Sequence, residues 1–200
     1  MLVDMKPDTK FKPKAPPGSC LYAVGDVHGR LDLLDNLLKQ IERDGKTAPP
    51  KTRRVLVLLG DLIDRGPDSR GVLDRVAELL KGKRLPGFAV HVLKGNHEDA
   101  MLRFLAGVEG GEVWLANGWR ATVESYGVNP DLGSESLRPA LLAALPKAHR
   151  RVLRTLEMSH VEGDYAFVHA GVRPAIAPQT FPTCAPTAPA STPGRGHRGF

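Results

Sequence analysis

The chain carries three glycine-bounded polar motifs: GDVHG at residues 25–29, GDLIDRG at 60–66 and GNHE at 95–98. Each motif follows an apolar run that is typical of a buried strand: 21–24, 55–59 and 88–93. Asp26, Asp61 and Asn96 are separated by 35 residues in both steps, which is about the length of one strand, one turn and one covering helix. The spacing therefore predicts successive βαβ units of an α/β fold with parallel strands.

The side chains of these motifs are suited to binding divalent metal ions. In an open α/β sheet, the loops at the carboxyl ends of parallel strands meet at one rim. Oxygen and imidazole ligands serve an ion that activates water and holds a phosphoryl group. Asp26 and His28 flank one residue of a tight turn and can reach one ion. Asp61 opens the next loop and is the candidate bridge between two ions, and Asn96 and His169 are the candidates for the second ion.

The segments between the motifs have the periodicity of amphipathic helices. Residues 31–43 carry leucine and isoleucine on one stripe, and Asp44-Gly45 is expected to end that helix. A second helix is expected after Gly66-Pro67, with its apolar face at Val72, Leu73, Val76, Leu79 and Leu80. Two strands are predicted further on, at 158–161 and 165–168.

Length and composition indicate a single domain. We expect it to span residues 19–179, with a helical cap region at about 98–157. The 200 residues are 42% hydrophobic, enough for a core. The chain has only two cysteines, which suits a reducing compartment. It shows no signal-peptide pattern and no apolar run long enough to span a membrane, so we expect a cytoplasmic protein without membrane contact. The net charge of +6 is spread along the chain, so nucleic acid is not an expected partner.

In this order and spacing the three motifs, followed by HAG at 169–171, resemble those of the calcineurin-like metallophosphoesterases. Within that family they are similar to the bacterial branch of the phosphoprotein phosphatases, as are residues 114–128 and 163–174. The resemblance covers roughly residues 20–179. It implies an αββα sandwich fold. It also implies hydrolysis of phosphomonoesters, namely phosphoserine and phosphothreonine in proteins or small phosphoesters. It also implies two divalent ions, with Mn²⁺ as the first expectation and iron or zinc as alternatives.

The resemblance gives each matching residue a role in binding metal. Asp26 and His28 would bind the first ion, Asp61 would bridge both ions, and Asn96 and His169 would bind the second. A hydroxide bridging the ions would attack phosphorus in line, so that no covalent phosphoenzyme is needed.

The remaining roles concern the proton and the phosphate. His97 would be the general acid, with Asp64 orienting its imidazole. Arg65 would hold phosphate oxygens, and Asn96 and Lys94 are further candidate contacts to the phosphate. Lys94 stands where relatives often carry arginine, and it lacks the bidentate fork of that residue.

Each of these residues also has a plainer interpretation. Asp61 and Asp64 could cap helices, His97 could be a further metal ligand, and Arg65 could be a structural ion-pair partner. Arg30 could face the cleft. Three other histidines are expected to be ordinary surface or partly buried residues: His91, His149 and His160.

The chain departs from the family after about Gln179. Relatives continue with further strands and a Gly-His-Thr motif whose histidine binds the second ion, and none follows here. Residues 177–200 contain no Leu, Ile, Val, Asp or Glu, so 180–200 is expected to be an irregular tail from truncation or translation out of frame. His197 could replace the absent ligand only if this tail were anchored. The sandwich is accordingly expected to be incomplete on its C-terminal side, and residues 1–18 are expected to be disordered.

Two classes of function remain open. The first is a two-metal phosphoesterase, acting on phosphoproteins or, alternatively, of the type that hydrolyses diadenosine tetraphosphate. An open groove would accept a phosphopeptide, whereas a basic, aromatic pocket would accept a dinucleotide. The second is a catalytically crippled relative without the C-terminal histidine ligand.

Overall fold

The centre of the fold is a three-stranded parallel sheet in the order β1-β2-β3. A computed structural model of the chain describes residues 12–108 and 111–171. The strands are β1 (Ser19–Val24), β2 (Arg53–Leu58) and β3 (Phe88–Val92). In the central strand, the side chains from Val55 to Leu58 are fully buried, as expected for a strand covered on both faces. The predicted α/β fold with three parallel strands is confirmed.

Helices cover one face of this sheet and continue around its rim. They are α1 (Leu31–Thr47), α2 (Ser69–Leu80), α3 (Asn96–Ala106), a 3₁₀ helix (Gly111–Ala116), α4 (Trp119–Ser125), α5 (Ser134–Ala144) and α6 (Lys147–Arg154). The main core lies between Leu56 and Leu58 of β2 and the buried stripes of α1 and α2. This layer fixes the loops that leave the carboxyl ends of the strands.

A small antiparallel sheet covers part of the other face. Its strands are β4 (Ser159–Glu162) and β5 (Tyr165–Val168). Phe167 packs beside Val55, Val57 and Leu93 in a second, smaller apolar cluster. The strand β5 leads directly to His169, so this sheet delivers a fourth loop to the rim.

Several helix details differ from the sequence-based expectations. Gly45 does not end α1, which continues to Thr47. An added Cβ at Gly45 would lie 2.7 Å from Cζ of Phe88, so this glycine permits close packing on β3. Leu80, expected on the inner face of α2, is 42% exposed. His149 is fully buried, with Nε2 2.9 Å from Oδ1 of Asp74 and Nδ1 2.7 Å from the Tyr126 hydroxyl.

Hydrogen bonds link the described N-terminal residues to the turn between β4 and β5. Asp164 donates its backbone N–H to the carbonyl of Lys14 (3.1 Å) and accepts the Lys14 N–H on its side chain (2.9 Å). Residues near Lys14 thus contact the β4–β5 turn, and the disorder expected for residues 1–18 stays a prediction. Residues 1–11, the predicted tail at 180–200 and His197 lie outside the described residues.

Within residues 12–108 and 111–171, none of the helices has the length and apolar character needed to cross a bilayer. The predicted cytoplasmic location stays a prediction.

Candidate metal centre

The loops after β1 and β2 are joined by backbone hydrogen bonds at the rim. The N–H groups of Val27 and His28 both donate to the carbonyl of Asp61, at 3.0 and 2.8 Å. The N–H of Gly66 donates to the carbonyl of His28 at 3.0 Å. These bonds bring the GDVHG and GDLIDRG motifs into contact, as their positions after parallel strands predict.

Four residues without the freedom of glycine adopt positive φ angles in these two loops. The angles are 43° at His28, 49° at Asp61, 71° at Asp64 and 68° at Arg65. Such angles cost free energy in non-glycine residues and persist where the surroundings hold them. Their concentration at the predicted metal and catalytic positions indicates a site whose geometry is imposed by its contacts.

Glu98 is a principal source of that constraint. Its buried carboxylate accepts the backbone N–H groups of Asp61 (2.9 Å), Leu62 (2.8 Å), Ile63 (3.2 Å) and Gly95 (2.9 Å). Burial raises the pKa of this carboxyl, and the N–H bond from Gly95 acts in the opposite direction. The residue ties the GDLIDRG loop to the start of α3, a role that the sequence analysis did not assign.

Gly95, at the start of GNHE, allows the Asp61 side chain to lie against the backbone of that motif. A Cβ added to Gly95 would lie 2.1 Å from Oδ1 of Asp61 and 2.3 Å from its backbone nitrogen. Gly25, in the neighbouring motif, has no heavy atom within 4 Å of an added Cβ. The two glycines therefore offer a matched pair for testing how closely the loops must pack.

We expect Gly95→Ala to weaken Mn²⁺ binding about 5–150-fold, because relieving the overlap must displace Asp61 at a cost of roughly 1–3 kcal/mol. Gly25→Ala should leave Mn²⁺ affinity within about twofold, since its methyl group enters open space. Calorimetric titration of both variants with Mn²⁺ measures this difference. Equal affinities would show that Asp61 tolerates displacement.

The histidines of the rim share one orientation. Nδ1 of His28 lies 2.9 Å from the Ile63 carbonyl, and Nδ1 of His169 lies 2.8 Å from the Leu59 carbonyl. Because a carbonyl only accepts, Nδ1 carries the proton in both rings and Nε2 presents its lone pair. Backbone contacts of this kind orient imidazoles that bind metals.

Two donor groups result, and both contain Asp61. We call them the Asp26 group (Asp26, Asp61 and His169) and the His28 group (His28, Asp61 and His97). In each group, one ligand atom per residue lies within 4.8 Å of the others. Oδ1 of Asp61 is 3.4 Å from Nε2 of His169, while its Oδ2 is 3.7 Å from Nε2 of His28. Asp61 thus faces both groups, as a bridging carboxylate must.

The donor set fits divalent cations. Nε2 of His169 lies 3.0 Å from Oδ1 of Asn96 and near Asp61. With the proton on Nδ1, these are contacts between acceptors, an arrangement that a cation would stabilise. The set also places Nε2 of His28 3.8 Å from Oδ2 of Asp26, so Asp26 is close to the ligands of either ion. All five predicted metal ligands are therefore brought together.

His97 and Asp64 form a buried pair beside this set. Nδ1 of His97 lies 2.7 Å from Oδ2 of Asp64, and its Nε2 faces Oδ2 of Asp61 at 4.0 Å. Trp114 Nε1 (2.7 Å) and Thr122 Oγ1 (2.5 Å) also donate to the Asp64 carboxylate. The sequence analysis gave Trp114 no role of its own, although a buried indole N–H needs a polar partner.

The predicted phosphate contacts differ in their surroundings. Arg65 is exposed, and its Nη1 donates to Nε2 of His28 at 2.8 Å. Lys94 instead directs its ammonium to Asp99 at 2.7 Å. Arg30 pairs with Asp32 through two hydrogen bonds, at 2.9 and 2.7 Å. Of these three cations, the described contacts link only Arg65 to the metal centre.

Two clefts open beside the centre. One of about 310 Å³ contains Asp26 and His28 and is otherwise lined by Arg30 and aliphatic side chains: Val24, Val27, Leu33, Leu34 and Leu37. The other, of about 730 Å³, runs past Arg30 and Arg65 towards α2. The first cleft presents both metal-binding and apolar surface, and the described residues that line it include no Phe, Tyr or Trp.

The chain is similar in sequence to known phosphoesterases. The family described as calcineurin-like phosphoesterase matches residues 21–176. A symmetrical bis(5'-nucleosyl)-tetraphosphatase of Methylococcus capsulatus is 33% identical over 160 residues, which are 80% of this chain and 46% of that protein. The asymmetrical bis(5'-nucleosyl)-tetraphosphatase PrpE of Oceanobacillus iheyensis is 34% identical over 105 residues, which are 52% of this chain and 39% of that protein.

A solved structure agrees with this chain in fold. The crystal structure of a mutant cold-active protein tyrosine phosphatase matches with a TM-score of 0.50 at 24% identity, covering 80% of this chain and 46% of that one. At this identity the likeness shows the fold alone. The chain spans less than half the length of each of these relatives.

Proposed function

Because this chain belongs to the calcineurin-like phosphoesterase family, we propose that its metal centre hydrolyses the phosphate chain of dinucleoside polyphosphates. The observation that carries the reaction class is the position of Asp61, which faces two donor groups at once. A pair of divalent ions sharing one carboxylate is the arrangement that phosphoryl-transfer hydrolases use.

The choice of substrate rests on the relatives and on the cleft. Both curated relatives described above are named as bis(5'-nucleosyl)-tetraphosphatases, which favours the dinucleotide alternative over phosphoserine and phosphothreonine. The cleft beside Asp26 and His28 is lined mainly by aliphatic side chains, with Arg30 at its edge. Such a surface suits the flat, apolar face of a nucleobase, and the part of it that the structure describes is aliphatic and not built from Phe, Tyr or Trp.

Bound divalent ions would lower the pKa of water at the centre and offset charge on the phosphate oxygens. We propose that Asp26, His28, Asp61, Asn96 and His169 hold them. We propose Mn²⁺ as the first choice for these ions. Arg65, exposed and adjacent to His28, would bind non-bridging phosphate oxygens through its planar fork. Lys94 is left out of this set because its ammonium is directed to Asp99.

His97 would protonate the leaving oxygen. As water adds to phosphorus and the bond to the departing nucleotide breaks, that oxygen gains negative charge. With Nδ1 held by Asp64, the proton that His97 can transfer is on Nε2, the atom that faces the centre. Asp64 stabilises the protonated ring and fixes its orientation.

We expect His97→Asn to lower kcat by about 10²–10⁴ while bound Mn²⁺ per chain stays unchanged. His28→Asn, in which the neighbouring imidazole is removed, should lower bound Mn²⁺, since His28 directs Nε2 to two carboxylates. Elemental analysis and single-turnover rates measure the two effects. Loss of metal from the His97 variant would instead make this residue a metal ligand.

Product analysis tests the substrate. With Mn²⁺, diadenosine tetraphosphate should be cleaved faster than a phosphoserine peptide, and the nucleotides released distinguish symmetrical from asymmetrical cleavage. Two ADP molecules indicate the former, and ATP with AMP the latter. Faster dephosphorylation of the peptide would overturn the dinucleotide proposal. Bound metal without turnover of either substrate would favour a catalytically crippled relative.

A further inference from the structure

A second cluster of metal-binding side chains lies outside the centre described above. It consists of His91 on β3, Glu157 between α6 and β4, and His160 on β4. One ligand atom of each residue lies within 4.8 Å of the others. None of the three belongs to the Asp26 group or the His28 group. The two histidines were expected to be ordinary residues, and their proximity comes only from the fold.

The carboxylate of Glu157 stands at the middle of the cluster. Oε1 lies 3.0 Å from Nδ1 of His91, and Oε2 lies 3.9 Å from Nδ1 of His160. The two imidazole rings stack, with centroids 3.5 Å apart and an angle of 23° between their planes. Tetrahedral ligation with bonds of about 2.0–2.1 Å places two nitrogens about 3.4 Å apart. The rings are thus as close as two nitrogen ligands of one ion must be, but stacking keeps their in-plane lone pairs nearly parallel. Both rings must therefore rotate before their nitrogens can bind the same ion.

The backbone holds Glu157 in place at the open edge of β3. Its N–H donates to the carbonyl of Val92 at 2.9 Å, and its carbonyl accepts the N–H of Lys94 at 2.8 Å. Leu93 and Glu157 accordingly form a short parallel bridge. Because Glu157 is held here and the histidines lie within strands, binding an ion requires only side-chain rotation.

Glu162 supplies a second carboxylate to the other side of His160. Its Oε2 lies 3.4 Å from Nε2 of that ring, and Arg53 forms an ion pair with its Oε1. A proton on Nε2 directed to Glu162 leaves the lone pair of Nδ1 directed towards Glu157. Imidazoles that bind metal commonly have a carboxylate on the distal nitrogen, which sets the tautomer and raises ligand basicity.

We propose that His91, Glu157 and His160 form a separate site for a transition-metal ion, with Zn²⁺ as its first choice. Two imidazoles and one carboxylate are ligands that Zn²⁺ accepts, and water would complete a tetrahedron. Mg²⁺ and Ca²⁺ prefer sets made of oxygen alone. The side chains are 24%, 39% and 12% exposed, so an ion can enter from solution. Bound there, it joins the edge of the parallel sheet to β4.

The test compares Zn²⁺ binding by the full chain and by the double variant His91→Phe/His160→Phe. Phenylalanine keeps the stacked rings and removes both nitrogen ligands. After treatment with a chelator, the double variant should bind one Zn²⁺ fewer per chain, and added Zn²⁺ should raise its Tm less. Turnover with Mn²⁺ should be retained, which separates this site from the metal centre.

Two single variants keep the proposal testable if the double variant does not fold. Glu157→Gln removes a ligand and should abolish binding of the additional Zn²⁺. Glu162→Gln leaves all three ligands and should weaken that binding about 10–100-fold without changing its stoichiometry. Unchanged stoichiometry and affinity in the folded variants would overturn the proposal and leave the cluster as a pair of histidines hydrogen-bonded to glutamate.

Discussion

Asp61→Asn is expected to lower kcat/KM by about 10³ or more, roughly 4 kcal/mol of transition-state stabilisation, and to reduce metal binding by both donor groups. The physical reason is that one carboxylate serves both groups. Its Oδ1 faces His169 and its Oδ2 faces His28. Asparagine keeps the size of the side chain but removes the negative charge and one of the two acceptor oxygens.

His169→Ala is the matched comparison, because His169 belongs to the Asp26 group alone. This variant should retain binding at the His28 group and keep part of the activity. Bound Mn²⁺ per chain and kcat/KM, measured for both variants, distinguish a shared ligand from a peripheral one. Equal losses of activity, with metal content unchanged in both variants, would contradict the assignment of Asp61 as the bridge.

The parts of the fold that could be predicted are those marked by a pattern within a short stretch of sequence. The strand β2 is apolar at every buried position, which is the pattern of a central parallel strand. Asp26, Asp61 and Asn96 each follow such a run, so their meeting at one rim follows from the topology. Periodicity likewise located the helices, although it placed the end of α1 at Gly45. That glycine lies within the helix and allows close packing against Phe88.

The parts that could not be predicted depend on contacts between distant segments. Trp114 fits an apolar pattern, and only the folded chain shows that its N–H donates to Asp64. His91 and His160 are 69 positions apart in the sequence, and the short bridge between Leu93 and Glu157 brings their segments together. In the sequence, Glu98 is an acidic residue in the first turn of a helix. A favourable interaction with the helix dipole would by itself explain an acidic residue at this position.

The surroundings of Glu98 support a larger role than a dipole interaction. Four backbone N–H groups converge on its carboxylate, three of them from residues 61–63. The loop of residues 60–66 carries Asp61 and three of the four positive φ angles of the site. Removing the acceptor leaves buried donors without partners, at about 1–3 kcal/mol for each.

Glu98→Ala is therefore expected to lower the free energy of unfolding by about 4 kcal/mol or more and the Tm by roughly 10 °C. Glu98→Gln should fall between this variant and the wild type, because one oxygen still accepts while the amide nitrogen faces other donors. Glu135→Ala is the matched control, since Glu135 is exposed in the first turn of α5. It should cost no more than about 1 kcal/mol. Thermal and urea unfolding measure all three variants, and similar losses for Glu98→Ala and Glu135→Ala would reduce Glu98 to a dipole partner.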